Sequence, residues 1–475
     1  MNFIKKTKII ATISDINCWE EKLIELYKAW ANIIRFNFSH AQHEAVSKIL
    51  NIIKELNLTW KTNLSTLLDT KWPEIRTGDI QEKISVKKWE NLNIFVDESL
   101  VKLKNDIYCD YNYLLEDVKK DQIIIIDSWL LKVRVVNVTK THVVVEALNN
   151  HLIWSRRHVN LPGVSLKLPG ITDKDEEDIL FAIKNGINFI AASFIRHQNN
   201  VLEIKSLLKK HNANHIQIIS KIENQEALEN LDWIVKESDG VMVARGDLGV
   251  EIEISKLPYY QKFIMDTCFT YGKTIIVATE LLKSMVESPF PTRAEISDVY
   301  NSVVLRTDCT MLSDETAVGN FPIQSCQMMT DVILEAEQHI NNKHKDFEIT
   351  FTENYALDKK MIAKNALIIA DEVKADYILL FTNSWFLARI VSAFKPNHTV
   401  FAFTKDENVL RSMNFLFAIY PFLIGSWGKY PLEDEKNALS YLELNWFIKK
   451  WQKIVVINDV VEWNAMSPYV KIINI

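Results

Sequence analysis

The sequence predicts an α/β protein built on a parallel sheet, with an all-β segment inserted into it and a second α/β unit after it. Between residues 1 and 77, and again from about 163 to 335, short apolar strands alternate with amphipathic helical stretches. This order is typical of a parallel sheet, either closed into a barrel or doubly wound. Residues 78–162 show short strands and polar turns without a convincing helix, and alternation resumes after about residue 345.

Apolar runs predict the individual elements in chain order. In the first unit the predicted strands are residues 8–14, 33–38, 64–68, 189–194, 216–222, 240–244 and 274–279. A helix is predicted between Asp175 and Asn185, because apolar residues recur there at helical spacing and Gly186 suits a C-terminal cap. The inserted segment has strands near residues 86–88, 92–96, 123–126 and 142–148. The last unit has a helix at 363–373 and strands at 377–381 and 399–404.

Composition and charge exclude several classes of protein. The chain of 475 residues is 48% hydrophobic and 24% charged, which is ordinary for a globular protein and unlike a disordered or collagen-like chain. Its net charge of −6 argues against a nucleic-acid binder held by phosphate contacts. Its N-terminus lacks a signal-peptide core, and no apolar run reaches the ~18 residues of a membrane span, so we expect a cytoplasmic protein. Five widely spaced cysteines are expected to be reduced thiols.

Polar residues cluster where the predicted strands of the first unit end. Arg35, Asn37 and Ser39 are spaced by two and therefore share one face of a strand, as do Lys221 and Glu223. The other strand ends carry Asp69-Thr70, Arg245-Gly246-Asp247 and Thr279. In a barrel, all of these side chains would converge at the C-terminal mouth, where such enzymes have their active sites.

The residue types at these strand ends suit phosphoryl transfer. Glu223 and Asp247 could hold Mg²⁺ together with substrate oxygens and water. Lys221, with Arg35 and Arg76, would supply positive charge for phosphate oxygens. Gly246 would let a ligand approach the backbone closely.

Each residue also has a purely structural interpretation. Lys221 and Glu223 could form an ion pair inside a barrel, and Asp247 could cap a helix. Ser39 and Thr279 could be turn hydroxyls, and His40 and His43 fit surface or packing positions better than metal ligation. Five strand ends that carry complementary polar groups favour a functional site.

Several long motifs in these same regions closely resemble those of the pyruvate kinase family. They occur in the family's order and comprise residues 35–40, 68–78, 219–225, 243–251 and 291–295. The resemblance covers nearly the whole chain. It is strongest in the first unit, good at Val159-Asn-Leu-Pro-Gly163, and weak in the rest of the insertion and in the C-terminal unit.

The resemblance implies a fold, a reaction and an assembly. The fold would be a catalytic (β/α)8 TIM barrel at 1–77 and 163–340, a mobile all-β barrel lid at 78–162 and a C-terminal α/β domain at 345–475. The reaction would transfer a phosphoryl group from phosphoenolpyruvate to ADP, giving pyruvate and ATP, with Mg²⁺ and K⁺ as cofactors. The family is usually tetrameric, so a homo-oligomer is implied.

Site roles carry over by motif. Lys221 would stabilise the transferring phosphoryl group, and Glu223 and Asp247 would bind Mg²⁺. Phosphoenolpyruvate would be held by Arg35, Lys221, Gly246, Asp247 and Thr279, with Thr279 near the enolate carbon that must be protonated.

The resemblance also implies a potassium site and a nucleotide site. Asn37, Ser39, Asp69 and Thr70 would ligate K⁺, and Glu74 stands where K⁺-dependent members of the family carry glutamate. The nucleotide would be contacted by Asn37, His40, Arg76 and Arg157, although the family usually has lysine at the position of Arg157.

The chain departs from the family pattern at several positions. Ser14-Asp15 replaces a Gly-Pro pair, Glu280 replaces glutamine, and Asp314 replaces the glycine of a Leu-Ser-Gly-Glu-Thr motif. The C-terminal phosphate loop, usually similar to Ser-Gly-Arg-Ser, reads Ser384-Trp-Phe-Leu387 and lacks the hydroxyl and basic groups that would cradle a phosphate. We therefore expect no activation by fructose-1,6-bisphosphate.

Two alternative functions remain open at this point. A catalytically inactive relative that serves as a phospho-ligand sensor or scaffold would be favoured by loss of Lys221, Glu223 or Asp247, but all three are present. Another barrel enzyme that acts on phosphoenolpyruvate or a keto acid with Mg²⁺, such as an aldolase, is disfavoured by the inserted segment and the C-terminal unit.

The balance of glycine and tryptophan is abnormal. Average usage predicts about 33 glycines in a chain of this length, whereas the sequence has 11 glycines and 13 tryptophans. Seven tryptophans coincide with glycines of the family pattern, namely Trp30, Trp72, Trp89, Trp129, Trp385, Trp446 and Trp451. One hypothesis is that several are UGA codons that the host reads as glycine. The alternative is that UGA, or UGG, truly encodes tryptophan there.

Overall fold

The computed structural model describes residues 4–15, 18–71, 74–167, 169–351, 356–425, 431–458, 461–462, 465–466 and 469–475. The chain begins with three parallel strands that alternate with two helices. These elements are β1 (Lys8–Ile13), α1 (Glu20–Lys28), β2 (Ala31–Asn37), α2 (His43–Leu58) and β3 (Ser65–Asp69). The strands are buried on both faces, which explains their continuous apolar runs.

The inserted segment is almost entirely β-structure. Its elements are β4 (Ile84–Val86), β5 (Asn91–Phe95), β6 (Asp106–Tyr108), α3 (Leu114–Asp117), β7 (Ile123–Ile126), β8 (Leu131–Val138), β9 (His142–Ala147), β10 (His151–Ile153) and β11 (Val159–Asn160). The strands form a six-stranded sheet in the order β11-β7-β8-β9-β5-β6 and a ribbon of β10 and β4, and both sheets share one apolar core. The expectation of no helix here was wrong for one turn, α3, where Leu114 is buried.

Strand and helix alternation then resumes. The elements are α4 (Asp173–Asn185), β12 (Phe189–Ala192), α5 (Gln198–Lys210), β13 (Gln217–Ile222), α6 (Gln225–Glu229), α7 (Leu231–Glu237), β14 (Gly240–Ala244), α8 (Arg245–Glu251), α9 (Leu257–Thr270), β15 (Thr274–Ala278), α10 (Arg293–Val304), β16 (Cys309–Leu312), α11 (Asp314–Ala317) and α12 (Pro322–Gln338). The predicted helix before Gly186 is confirmed as α4, and Gly186 closes it with a φ of 71°.

Eight parallel strands close into a barrel in the order β1-β16-β15-β14-β13-β12-β3-β2. Closure depends on the pairing of β1 with β16, which joins Lys8 to Cys309 across the sequence. The doubly wound alternative is thereby excluded. Because all eight strands run in one direction, their C-terminal ends meet at one mouth.

The C-terminal unit is a separate α/β layer. Its elements are α13 (Ala356–Glu372), β17 (Tyr377–Phe381), α14 (Trp385–Ala393), β18 (Thr399–Thr404), α15 (Glu407–Met413), β19 (Ile419–Leu423), α16 (Pro431–Leu444), β20 (Lys453–Asn458), β21 (Val461–Glu462), β22 (Ala465–Met466) and β23 (Tyr469–Asn474). The sheet order is β19-β18-β17-β20-β23, with β23 antiparallel at one edge.

This unit packs against the N-terminal end of the barrel strands. The Phe415 ring lies 4.8 Å from the Phe189 ring inside the barrel. The buried Lys395 Nζ lies 2.5 Å from Asp308 Oδ1, just before β16 begins. The barrel is therefore covered at this end, and the mouth with its polar strand ends lies at the other.

Two further expectations can be compared with the structure. The five cysteines form no disulfide in the structure, and four of them are buried. Among the described residues, no helix is both long and apolar enough to cross a membrane.

Candidate active site

The ammonium group of Lys221 is at the centre of the barrel mouth. Strand β13 carries Lys221 near its C-terminal end. The Nζ atom lies 2.8 Å from Glu223 Oε1 and 3.1 Å from Asp69 Oδ1, and it donates a hydrogen bond to Ser193 Oγ at 2.8 Å. The ion pair between Lys221 and Glu223, which was the structural interpretation of these residues in the sequence, is therefore present. It belongs to a network that joins β3, β12 and β13.

Burial and charge together determine the protonation of this network. Burial by itself would lower the pKa of Lys221, but the carboxylates of Asp69, Glu223 and Asp247 outweigh it, so the pKa lies above its usual value. Burial raises the pKa of Glu223 to about 8, and Asp247 adds to the rise, while Lys221 opposes it. The mouth thus holds a permanently charged ammonium group next to a carboxyl group that ionises reluctantly.

Arg35 is held beside this network. Its Nη2 lies 2.7 Å from Asp69 Oδ2, and its Nη1 donates to Thr12 Oγ1 at 2.9 Å. Burial by itself would raise the pKa of Asp69. The charges of Lys221 and Arg35 outweigh that effect, so the pKa lies below its usual value and the group stays ionised. Asp69 therefore orients two cations toward the same space.

Gly246 and Thr279 meet on the opposite side of the mouth. The amide of Gly246 donates to Thr279 Oγ1 at 2.9 Å. Thr279 has a φ of 67°, a left-handed conformation that is costly for a β-branched residue. The Arg245 guanidinium holds it by donating to the carbonyl oxygen of Thr279, and Asp298 carboxylate oxygens accept from Arg245 at 2.6 and 2.8 Å.

The two predicted magnesium ligands fit a divalent cation. Asp247 lies inside the first turn of α8, whose N-cap is Ala244, so Asp247 does not cap the helix. Its charge raises the pKa of the buried Glu223 carboxyl, which shows that the two acidic groups repel each other. A cation between them would relieve that repulsion. Within the described ranges no group of three or more His, Cys, Asp or Glu could hold a metal, so further ligands would come from substrate and water.

The four predicted potassium ligands lie at or just beyond the C-terminal ends of the adjacent strands β2 and β3. Asn37 and Asp69 are register partners in the β2–β3 ladder. The Ser39 amide donates to Asn37 Oδ1 at 3.2 Å, and Thr70 follows Asp69 directly. Thr70 Oγ1 accepts from the Ser193 amide at 3.1 Å, which ties this group to the network of Lys221.

A second charged group lies between the barrel and the inserted segment. Arg76 pairs with Glu74, donates to the Arg156 carbonyl at 2.9 Å and lies 3.0 Å from the His158 ring. Arg157 stacks over the Trp154 ring at 4.7 Å. His40 is exposed just beyond β2.

The inserted segment also contacts the helix that carries Asp247. Asn160 Nδ2 donates to Glu251 Oε1 at 2.8 Å, at the C-terminal end of α8. Burial raises the pKa of Glu251 to about 7. The hydrogen bond from Asn160 lowers this pKa, and the charge of Asp247 raises it. The segment and α8 are thus linked next to the mouth.

Two residues of this site were not identified from the sequence, and a third was identified at a strand end without a role. Ser193 follows β12 and joins Lys221 to Asp69 and Thr70. Arg245 was identified in a motif but without a role, and Asp298 lies in α10, far along the chain. The polar Ser193 after an apolar strand was a usable signal, whereas nothing in the sequence marked Asp298.

Other residues have structural roles. His43 Nε2 lies 2.6 Å from Asp178 Oδ1, and its ring stacks on Phe181 at 4.4 Å, so the packing interpretation is confirmed for His43. Asp314 forms an exposed ion pair with Lys283. Glu280 is exposed with a φ of 56°.

Comparisons with known proteins agree on one family. The barrel domain of pyruvate kinase matches residues 4–326, and its alpha/beta domain matches residues 360–467. The chain is 38% identical over 464 residues to a pyruvate kinase of Lactobacillus delbrueckii subsp. bulgaricus, covering 96% of this chain and 78% of that relative. It is 33% identical over 462 residues to a pyruvate kinase of Borreliella burgdorferi, covering 96% and 94%.

A solved structure shows the same architecture. The crystal structure of a pyruvate kinase from Cryptosporidium parvum superimposes with a TM-score of 0.92 at 33% identity, covering 99% of this chain and 96% of that one. With the closed barrel, the inserted sheet and the C-terminal α/β layer already described, these matches lead to one conclusion. The chain belongs to the pyruvate kinase family of phosphotransferases.

Proposed function

We propose that the protein transfers the phosphoryl group of phosphoenolpyruvate to ADP, giving pyruvate and ATP, at the mouth of the barrel. The observation that carries this proposal is the Lys221 ammonium, which three carboxylates keep charged within 3.1 Å of Asp69 and Glu223. Phosphoryl transfer is catalysed mainly by positioning and by charge stabilisation of the moving group. A fixed cation next to two candidate metal ligands meets both needs.

The roles proposed for the chain's own residues follow from these contacts. Lys221 would contact the moving phosphoryl group, and Arg35, oriented by Asp69, would hold the phosphate end of phosphoenolpyruvate. The Thr279 hydroxyl oxygen accepts a hydrogen bond from the Gly246 amide, so its own proton is not used in that bond and would be available to the enolate carbon. Glu223 and Asp247 would hold Mg²⁺, which when bound neutralises charge on phosphate oxygens.

A coupled assay for pyruvate tests this proposal. Pyruvate should form only when phosphoenolpyruvate, ADP and Mg²⁺ are all present. Absence of turnover in a folded preparation would favour the inactive sensor or scaffold. Turnover that does not depend on ADP would point to another reaction of phosphoenolpyruvate.

Asp298 is expected to act as a positioning residue. In Asp298→Asn the guanidinium of Arg245 loses a charged partner, and the strained Thr279 segment loosens. We expect kcat/KM for phosphoenolpyruvate to fall about tenfold while KM for ADP stays constant, because a small misplacement is costly at the reacting centre. Asp331→Asn, on the outer surface of α12, is the control. If kcat/KM fell equally for phosphoenolpyruvate and for ADP, Asp298 would not be a positioning residue for the phosphoenolpyruvate site.

Potassium dependence is proposed from the oxygen-rich group of Asn37, Ser39, Asp69 and Thr70. Glu74, where K⁺-dependent members of the family carry glutamate, pairs with Arg76, which in turn donates to the Arg156 carbonyl of the inserted segment. Turnover is expected to be several-fold higher in K⁺ than in Na⁺ at constant ionic strength, which keeps the screening of surface charges equal. Equal turnover in the two salts would refute the proposal.

Activation by fructose-1,6-bisphosphate is not expected. Ser384 is the N-cap of α14, and the next residues, Trp385 and Phe386, surround Arg389 with aromatic rings at 5.2 and 4.9 Å. Adding the sugar bisphosphate should leave the half-saturating concentration of phosphoenolpyruvate unchanged. A several-fold decrease would show that the expectation is wrong.

The remaining site assignments are also proposals. The nucleotide would be contacted by His40, Arg76, Arg157 and Asn37. The proposed cellular location of the protein is the cytoplasm. A homo-oligomer, tetrameric as implied by the family, is supported by exposed aromatic side chains on α9, where Tyr259 and Phe263 stack at 6.4 Å. Light scattering would measure the assembly.

A further inference from the structure

Six tryptophans have a backbone conformation that suits glycine. Thirteen tryptophans occur in the chain, and three of them, Trp72, Trp427 and Trp463, lie outside the described residues. Of the ten described, six have φ between 58° and 90°, namely Trp30, Trp60, Trp89, Trp129, Trp446 and Trp451. A positive φ in a bulky residue is a genuine outlier. Only three of the described glycines, Gly163, Gly186 and Gly272, have a positive φ.

Three of these tryptophans end helices where glycine ends others. After α2, the Trp60 amide donates to Asn57 O, and the next amide donates to Leu56 O. After α16, Trp446 and Phe447 make the same pair of bonds to Glu443 and Leu442. Gly186 and Gly272 make this pair after α4 and α9. The pattern is the Schellman motif, in which glycine is preferred at the left-handed position.

Trp30 has the same place after α1, where its amide donates to Tyr27 O at 2.9 Å. Its φ of 73° is close to the 71° of Gly186. The backbone at these helix ends is therefore equivalent whether the residue is glycine or tryptophan.

The other three tryptophans lie in tight turns. The Glu90 amide donates to Lys87 O, which places Trp89 at the third position of a turn that needs a positive φ there. The Leu130 amide donates to Asp127 O, and both central residues, Ser128 and Trp129, have a positive φ. Such hairpin turns strongly favour glycine at the second central position. Trp451 has a φ of 73° in the turn before β20.

At four of the six positions, burial does not offset this backbone cost. The exposed fractions of Trp60, Trp89, Trp446 and Trp451 are 60%, 60%, 83% and 93%. The four remaining described tryptophans have no positive φ, including Trp233 inside α7, which is 56% exposed. Exposure is thus common to both groups, and the left-handed backbone is what separates them.

We propose that the natural polypeptide carries glycine at positions 30, 60, 89, 129, 446 and 451, because UGA codons written as tryptophan are decoded there as glycine. The backbone conformation changes the set of seven tryptophans that the family pattern suggested. Trp60 joins it, and Trp385 leaves it, because residue 385 opens α14 with no positive φ. Position 72 lies outside the described residues.

The proposal has a consequence beside the active site. The Trp129 indole reaches to 3.7 Å from the point where a Cβ on Gly249 would lie, in the helix that carries Asp247. With glycine at position 129, this indole would no longer lie next to Gly249 of α8. The contact of Asn160 with Glu251 would remain.

Two measurements decide the proposal directly. The gene should have UGA at all six positions, and UGG codons there would overturn it. Peptides of the protein isolated from the cells that make it should have masses for glycine at the six positions. Masses for tryptophan would overturn the proposal even if the codons are UGA.

Stability provides an independent readout in a recombinant chain. Replacing the six tryptophans by glycine is expected to raise Tm by on the order of 5–10 °C, because left-handed strain is removed at each site. The matched control changes Trp19, Trp154 and Trp233 to glycine and is expected to lower Tm, since these residues have no positive φ. A lower Tm for the six-site variant would contradict the proposal.

Discussion

Replacing Lys221 by methionine is expected to lower kcat about 10³-fold, with little change in KM for ADP. The ammonium of Lys221 is the cation that the carboxylates of Asp69 and Glu223 hold at the mouth. Removing a preorganised charge that stabilises a transferring phosphoryl group has effects of about this size. Steady-state kinetics with phosphoenolpyruvate and ADP varied separately measure the two constants.

The fold is expected to survive this substitution. Asp69 keeps its ion pair with Arg35 at 2.7 Å, and Glu223 can take up a proton because its pKa is already raised to about 8. Lys205→Met is the matched control, since Lys205 forms a half-exposed ion pair with Glu237 on the outside of the barrel. A Lys221→Met protein with near wild-type kcat would remove Lys221 from the catalytic machinery.

Replacing Glu223 by glutamine, or Asp247 by asparagine, is expected to raise the half-saturating Mg²⁺ concentration by at least about 100-fold. Loss of a single partner in the outer shell of a metal site already weakens binding by about 10–100-fold, and a direct ligand should matter more. Activity titrations against Mg²⁺ and calorimetry of Mg²⁺ binding without substrate give two separate readouts.

Although Glu223→Gln is expected to weaken Mg²⁺ binding, it is not expected to lower the thermal stability of the metal-free protein. A carboxylate whose pKa is raised by burial destabilises the folded state at pH values above its unfolded pKa, so a neutral amide should not lower Tm in the absence of metal. Asp232→Asn on α7, where the carboxylate pairs with Lys236, is the control. Unchanged Mg²⁺ dependence in both site variants would exclude Glu223 and Asp247 as ligands.

Much of the fold and of the site could be predicted from local pattern. The strands of the barrel are buried on both faces and therefore appear as continuous apolar runs. The side-chain period of two placed Lys221 and Glu223 on one face, and both do lie at the mouth. The helix before Gly186 was predictable because its cap is a local feature.

Other features depend on contacts between distant parts of the chain. Barrel closure joins β1 to β16, and no local pattern specifies that pairing. Asp298 contributes to the site only because α10 brings it to Arg245. Ser193 acquires its role from the positions of Thr70 and Lys221 on neighbouring strands.

The glycine deficit shows the same division. The counts of glycine and tryptophan were abnormal in the sequence, but counts alone do not say which tryptophans are out of place. The backbone φ angle identifies them, because it is a property of the folded helix ends and turns. It adds Trp60 to the positions proposed to be glycine and removes Trp385 from them.

The sequence by itself determined the secondary structure, the family and the residue types of the mouth, since these follow from local periodicity and motif order. The family resemblance implied the (β/α)8 barrel, but only the tertiary structure decided the strand pairing that closes it, the raised pKa of Glu223 and the partners of Thr279. These depend on burial and on charges from strands far apart in the chain, which interact only after the barrel has closed.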